Sequence, residues 1–163
     1  MIYLFEINQF LKMSKKARSE GNRVASLIKS SKSEFYTTDV DVKDNPDDML
    51  IAMNSVKNTL GKTKAGFMLI AGGDKLLIVN AYVPDELKDK LSFDNWLNNS
   101  ISGLKKENMI SVDGDNYKQV SFEIEFPFKV KDNVRSNSFV YLGKNGCMEE
   151  EESSEEFIGF DDI

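Results

Sequence analysis

Two apolar runs separated by a glycine-rich turn constrain the fold of this chain most strongly. They lie in the stretch "AGFMLIAGGDKLLIVNAYV", with Gly72, Gly73 and Asp74 between them. Two apolar runs that flank such a turn are typical of a β-hairpin. Pro84 ends the second run, because proline has no N–H to donate to a neighbouring strand. The chain is therefore predicted to contain an antiparallel sheet.

Helices are predicted on both sides of this hairpin in the sequence. Asn45 is placed to cap the first, with Pro46 at the first helical position and Gly61 at the end. Its apolar stripe consists of Leu50, Met53, Val56 and Leu60. Ser92 is placed to cap the second, whose inward residues are Phe93, Trp96, Leu97 and Ile101.

The remaining segments predict further helices and strands. A helix is expected from Phe5 to Ile28, broken or weakened at Gly21, and a strand in "EFYTTDVDV". Alternation predicts a strand over Gln119–Lys131, with Pro127 at a sheet edge, and "SFVYLGKNG" predicts a last strand and turn. The predicted fold class is α+β, with a mostly antiparallel sheet and helices on one face.

The residues that the chain lacks limit its chemistry. It has no histidine and one cysteine, Cys147, which excludes histidine-based triads and an internal disulfide. The neighbouring acidic residues raise the pKa of the thiol and disfavour a thiolate nucleophile. The stretches "LGKTK" and "VDGDN" lack the context of a phosphate loop and of a calcium loop. We expect no enzyme activity, no metal and no cofactor.

The location of the protein is also predicted from its sequence. No apolar run approaches the length of a membrane span, and the first basic residues follow the first apolar ones, which is the reverse of a secretory signal. A single cysteine suits a reducing compartment. These features predict a cytoplasmic protein without a membrane partner.

The net charge of −6 is unevenly distributed. The segment from Glu149 to the end holds eight of the 27 acidic residues and no basic one, which leaves 21 basic against 19 acidic residues before it. Such a composition does not support a packed core. We predict a single α+β domain over residues 1–148 and a disordered acidic tail over residues 149–163.

Basic residues are concentrated near the N-terminus. Seven lysines and arginines occur by residue 32, against only Glu6 and Glu20. A basic helix can contact phosphates, although the same residues also suit a solvated helix face. The predicted nucleic-acid-binding residues are Lys12, Lys15, Lys16, Arg18 and Arg23.

Apolar residues among the acids distinguish the tail from a segment that only adds solubility. Acidic residues can steer a partner while apolar ones anchor in its pocket. The predicted partner-binding residues are Phe157, Ile158, Phe160, Asp161, Asp162 and Ile163. The ending "FIGFDDI" resembles the C-terminal tails of bacterial and phage single-stranded-DNA-binding proteins, which are acidic and end in a hydrophobic residue. The resemblance implies a tail that recruits replication and repair proteins and competes with DNA.

A second resemblance covers the middle of the chain. The stretch that runs from "DDMLIAMNSVKNTLGK" to "NAYVPDELKDKLSFDNWLNNSISGL" is similar to the C-terminal domain of alanyl-tRNA synthetases. That domain runs helix, strand, strand, a short "VP..L" segment and helix. It is a tRNA-contacting module without catalytic activity, so this resemblance also implies association with nucleic acid.

Together these features predict a non-enzymatic accessory protein of the single-stranded-DNA-binding type, which suits a phage origin and a role in DNA replication. The choice between DNA and RNA stays open. The alternative is a protein-interaction module, either an inhibitor or an adaptor, that does not bind nucleic acid.

Overall fold

The described residues fold as a five-stranded sheet with two helices on each face. A computed structural model describes the backbone of residues 2–147 and the side chains of residues 15–147. The elements are α1 (Ile2–Ser31), β1 (Phe35–Asp39), α2 (Pro46–Leu60), β2 (Gly66–Gly72), β3 (Leu76–Tyr82), a 3-10 turn (Asp85–Leu87), α3 (Phe93–Ser100), β4 (Glu107–Asp113), β5 (Tyr117–Glu123) and α4 (Pro127–Lys144). The predicted α+β class is confirmed. The predicted acidic tail, residues 149–163, lies outside the described residues, and the division at residue 148 stays a prediction.

The sheet is mixed but mostly antiparallel, as predicted. Its strand order is β1-β2-β3-β5-β4. Among the described strands, only β1 and β2 are parallel, and helix α2 connects them as a crossover. The predicted hairpin forms β2 and β3, in which Ile70 pairs with Val79. On the other side of β3, Val79 pairs with Val120 of β5.

The prediction that the helices lie on one face is wrong. Phe67 and Leu69 of β2 pack in a cluster with α1 and α2, whereas Met68 and Ile70 pack in a second cluster with α3 and α4. The central strands are therefore buried on both faces. The continuous apolar runs of β2 and β3 are typical of strands buried on two sides, and this signal in the sequence indicates helices on both faces.

The predicted helix caps are confirmed. Asn45 Oδ1 accepts a hydrogen bond from Asp48 N at 3.2 Å, and Pro46 occupies the first turn of α2. Ser92 Oγ accepts from Asn95 N at 3.3 Å at the start of α3. Each cap satisfies an amide that has no partner inside its helix.

Helix α1 continues through Gly21 and is not broken there, contrary to the prediction. A Cβ atom at Gly21 would lie 2.5 Å from both Ala52 O and Ser55 Cβ of α2. The missing side chain therefore permits the two helices to touch, and this packing outweighs the poor helix propensity of glycine.

The C-terminal third contains the largest error of the sequence prediction. The predicted strand Gln119–Lys131 ends at Glu123, and Pro127 is not at a sheet edge but begins α4. The segment predicted as the last strand forms the second half of α4. Proline suits the first helical turn, since its missing N–H has no partner there. The buried residues Val134, Ser138 and Leu142 recur every fourth position, which is a helical period.

Candidate functional sites

Helices α1 and α2 lie parallel and form a polar groove on the outer surface. Gly21 lies against Ala52 and Ser55, and Asn22 contacts Ser55 and Thr59, so residue numbers rise together along both helices. The hydroxyl of Thr59 donates to Asn22 Oδ1 at 2.7 Å. These bonds fix the positions of the polar side chains along the groove.

The groove has a volume of about 360 Å³ and contains no carboxylate among its lining residues. Its lining consists of Arg18, Asn22, Ile51, Asn54, Ser55, Asn58 and Thr59. The guanidinium of Arg18 and the side-chain amides of Asn54 and Asn58 can donate to phosphate oxygens, whereas the hydroxyls of Ser55 and Thr59 already donate within the protein. The groove can therefore bind an anion without repulsion from its own walls.

Two of the five predicted nucleic-acid-binding residues are engaged inside the protein. Lys16 Nζ lies 2.7 Å from Asp41 Oδ2, and this contact lowers the pKa of Asp41 and raises that of Lys16. Arg23 Nε donates to Glu20 at 3.0 Å, and its Nη2 donates to Asp39 O at 2.9 Å. Both cations therefore connect α1 to the end of β1.

The other predicted basic residues divide between exposed and undescribed positions. The structure exposes Lys15 and Arg18, and Arg18 lines the groove. The side chain of Lys12 lies outside the described residues. All six predicted partner-binding residues, Phe157, Ile158, Phe160, Asp161, Asp162 and Ile163, also lie outside them.

The uncharged polar residues that line the groove are not among the site residues predicted from the sequence. Asn54 and Asn58 are spaced four apart on α2 and share one helix face, and both are exposed. The spacing of Asn54 and Asn58 can be recognised in the sequence. Their proximity to Arg18 cannot be predicted from the sequence, because it depends on the packing of α1 on α2.

The carboxylates of Asp39 and Asp41 form ion pairs with basic side chains. Asp39 lies 3.2 Å from Lys131 Nζ and 3.8 Å from an Arg135 nitrogen. Asp41 bonds instead to Lys16, so the two carboxylates act in different ion pairs. Glu125 follows the end of β5 and does not share a strand with Glu123.

Cys147 is half-buried at the end of the described chain. Burial and the nearby carboxylate of Glu34 raise the pKa of its thiol. The thiol is therefore neutral at neutral pH and is a poor nucleophile.

Among residues 15–147, no three histidine, cysteine, aspartate or glutamate side chains are grouped so that they could hold a metal ion. None of the helices in the described part of the chain is long and apolar enough to cross a membrane.

No protein-family model and no curated protein sequence matches this chain. Among solved structures it is similar to the nucleotide-free catalytic domain of the histidine kinase ThkA. The two share 16% identity over 74% of this chain and 95% of that one, with a TM-score of 0.22. A likeness this weak gives no argument about fold or activity.

Proposed function

We propose that this protein is a non-enzymatic accessory protein that binds the backbone of single-stranded nucleic acid. In this proposal the groove between α1 and α2 contacts the phosphates, and the acidic tail docks partner proteins or competes with nucleic acid. A cytoplasmic location, a role in replication and a phage origin belong to the same proposal.

The observation that carries the proposal is the composition of the groove. Arg18 lies beside three asparagine side chains and two hydroxyl groups, with no carboxylate among the lining residues. Lys15 is exposed one turn before Arg18, on the same side of α1. Cations and neutral donors favour contacts with phosphate oxygens, which do not depend on base sequence.

The two resemblances are consistent with this proposal. The tail resembles those of single-stranded-DNA-binding proteins, and the middle segment resembles a tRNA-contacting domain. The DNA and RNA forms of the proposal differ only in the ligand, so both oligonucleotides belong in the test.

Fluorescence anisotropy of labelled single-stranded DNA and RNA tests the groove. We expect the full chain to bind at low salt and Arg18→Gln to bind more weakly, with a salt slope that is shallower by roughly 0.7 for one lost phosphate contact. Lys144→Gln removes an exposed cation from α4 and is the matched control, expected to bind like the wild type. Equal binding by the two variants would contradict the assignment of the groove.

A protein-interaction module that does not bind nucleic acid is the second candidate. A specific surface favours it. Several large apolar side chains are exposed on β4 and at the start of α4: Met109, Ile110, Val112, Phe126 and Phe128. The rings of Phe126 and Phe128 pack against each other, and exposed apolar residues that lie together commonly mark a site of protein association.

A further inference from the structure

Strand β4 and the segment before α4 form an exposed surface that is separate from the groove. Among the described strands, β4 is last in the sheet order and pairs only with β5. All seven of its residues are exposed. A free strand edge carries N–H and C=O groups that can pair with another chain.

The hydrogen-bond pattern identifies which backbone groups of β4 point outward. Gly114 N donates to Tyr117 O at 2.9 Å, which makes these two a hydrogen-bonded pair. Bonded and non-bonded pairs alternate in an antiparallel ladder. Val112 therefore bonds to Gln119, whereas the backbone N–H and C=O of Ser111 and Asp113 point toward the free edge.

A cavity of about 790 Å³ lies beside the start of β4. Its carboxylates come from Asp74, Glu107, Glu123 and Glu125, and its only ammonium groups among the described residues are those of Lys75 and Lys105. Ile124, Phe126 and Phe128 complete the lining. The cavity is therefore acidic and partly apolar.

The two phenylalanine side chains that line this cavity are exposed to solvent. Phe126 is 59% exposed and Phe128 49% exposed, and their rings pack edge to face with centroids 6.3 Å apart. Phe126 has a φ of 53°, in the left-handed region that bulky residues rarely adopt. A strained residue that exposes an aromatic ring is a feature associated with binding sites.

We propose that this surface binds an extended, basic segment of a partner protein, which adds a strand to β4. The backbone of the segment pairs with Ser111 and Asp113, its apolar side chains contact Ile110 and the two phenylalanines, and its cations meet the carboxylates of the cavity. Strand addition of this type obtains affinity from the backbone and specificity from side-chain pockets.

Charge complementarity selects a basic occupant over an acidic one, because four carboxylates and two ammonium groups line the cavity. A second copy paired antiparallel around Ser111 would place Asp113 opposite Met109 with no like charges facing each other within the paired strands, so the oligomeric state is measured as part of the test. The chain's own tail, residues 149–163, carries eight acidic residues, which the carboxylates of the cavity repel.

The test uses the full chain and a labelled seven-residue peptide, KVKFKVK, which matches β4 in length. We expect the wild type and Ser111→Ala to bind it equally and Ser111→Pro to bind about tenfold more weakly, because proline removes the outward N–H. Both variants keep the acidic tail, so attraction between the peptide and the tail cannot cause a difference in affinity between them. Circular dichroism checks that Ser111→Pro is folded.

If Ser111→Pro does not fold, a second variant tests the proposal. Glu125 is exposed and makes no hydrogen bond or salt bridge among the described residues, so Glu125→Lys changes the charge of the cavity alone. We expect weaker binding of KVKFKVK by this variant and no binding of EVEFEVE by the wild type. Binding of both peptides alike, or no binding by the wild type, overturns the proposal. A concentration-dependent dimer that Ser111→Pro abolishes would also overturn it and assign the edge to a second copy.

Discussion

At the scale of single residues, Ser138 connects three elements on the α3–α4 side of the sheet. Its Oγ lies 2.7 Å from Thr37 Oγ1 of β1 and accepts a hydrogen bond from Trp96 Nε1 of α3 at 2.9 Å. Ser138 and Trp96 are completely buried, so neither can use water as a partner. A buried polar group without a partner costs stability.

Replacement of Ser138 by alanine tests this connection. The change leaves the indole N–H of Trp96 buried without an acceptor, and we expect a loss of about 1–3 kcal/mol in the free energy of unfolding. Ser136→Ala alters an exposed serine on the same helix and is expected to change stability by less than about 0.5 kcal/mol. Urea denaturation measures both. A Ser138→Ala variant as stable as Ser136→Ala would contradict the assigned role.

At the scale of elements, local signals predicted α2, α3 and the hairpin, whereas α4 was missed. Helix caps such as Asn45 and Ser92 act within one turn, so the start of each helix can be predicted from the local sequence. In α4 the buried stripe includes Ser138, which weakens its apolar period, and the alternation of β5 continues past Glu123 into the first turn. The left-handed conformation of Phe126, which redirects the chain there, has no sequence signal.

The contact between α1 and α2 predicts an unusual effect of Gly21→Ala. Alanine is a better helix former than glycine by roughly 1 kcal/mol. The new methyl group would nevertheless clash with Ala52 O and Ser55 Cβ, and such overpacking costs about 1–3 kcal/mol. We expect a net loss of stability in thermal denaturation, whereas the control Ser19→Ala on the exposed face does not lower it. A gain in melting temperature for Gly21→Ala would show that α1 is not held this close to α2.

Glu20 makes the attachment of α1 to β1 dependent on pH. Burial acts to raise its pKa, but bonds from Arg23 and from Asp41 N, the latter at 2.7 Å, outweigh burial and lower the pKa below its ordinary value of 4.5. The unfolded chain therefore binds more protons than the folded one, and this stabilisation is present above about pH 4.5 and is lost as pH falls through the folded-state pKa.

The Glu20→Gln variant measures this contribution. It should be less stable than the wild type at pH 7, because the charged hydrogen bonds are lost. The difference between the two should shrink on acidification from pH 7, as the pH falls through the folded-state pKa of Glu20, which lies below 4.5. Melting temperatures over this pH range test the expectation. A constant difference at every pH would contradict the role of the Glu20 charge.

At the scale of the whole molecule, the charges that matter are brought together only by the fold. Lys16 and Asp41 are 25 residues apart in sequence, and Lys131 reaches Asp39 from α4. The sequence therefore shows that α1 is rich in basic residues, but it does not show which of them form ion pairs within the protein and which can contact a ligand. The exposed cations of α1 include Lys15, Lys16, Arg18 and Arg23. Lys16 and Arg23 pair with Asp41 and Glu20, whereas Arg18 lines the groove.

The tail is predicted to add nothing to the stability of the body. Its composition does not support packing, so removal of residues 149–163 should leave the melting temperature nearly unchanged. Differential scanning calorimetry of both forms tests this prediction. A drop of many degrees would mean that the phenylalanines of the tail pack on the body, which contradicts a tail that is free to dock a partner.

Binding of single-stranded oligonucleotides by the full chain and by residues 1–148 tests the account most directly. The eight carboxylates of the tail act at high effective concentration on the body, so their removal should tighten binding and steepen its salt dependence. Neutralisation of Lys15 and Arg18 together should remove both the binding and the effect of the tail. If neither form binds at low salt, the nucleic-acid function is wrong, and the chain is then a module that binds proteins alone.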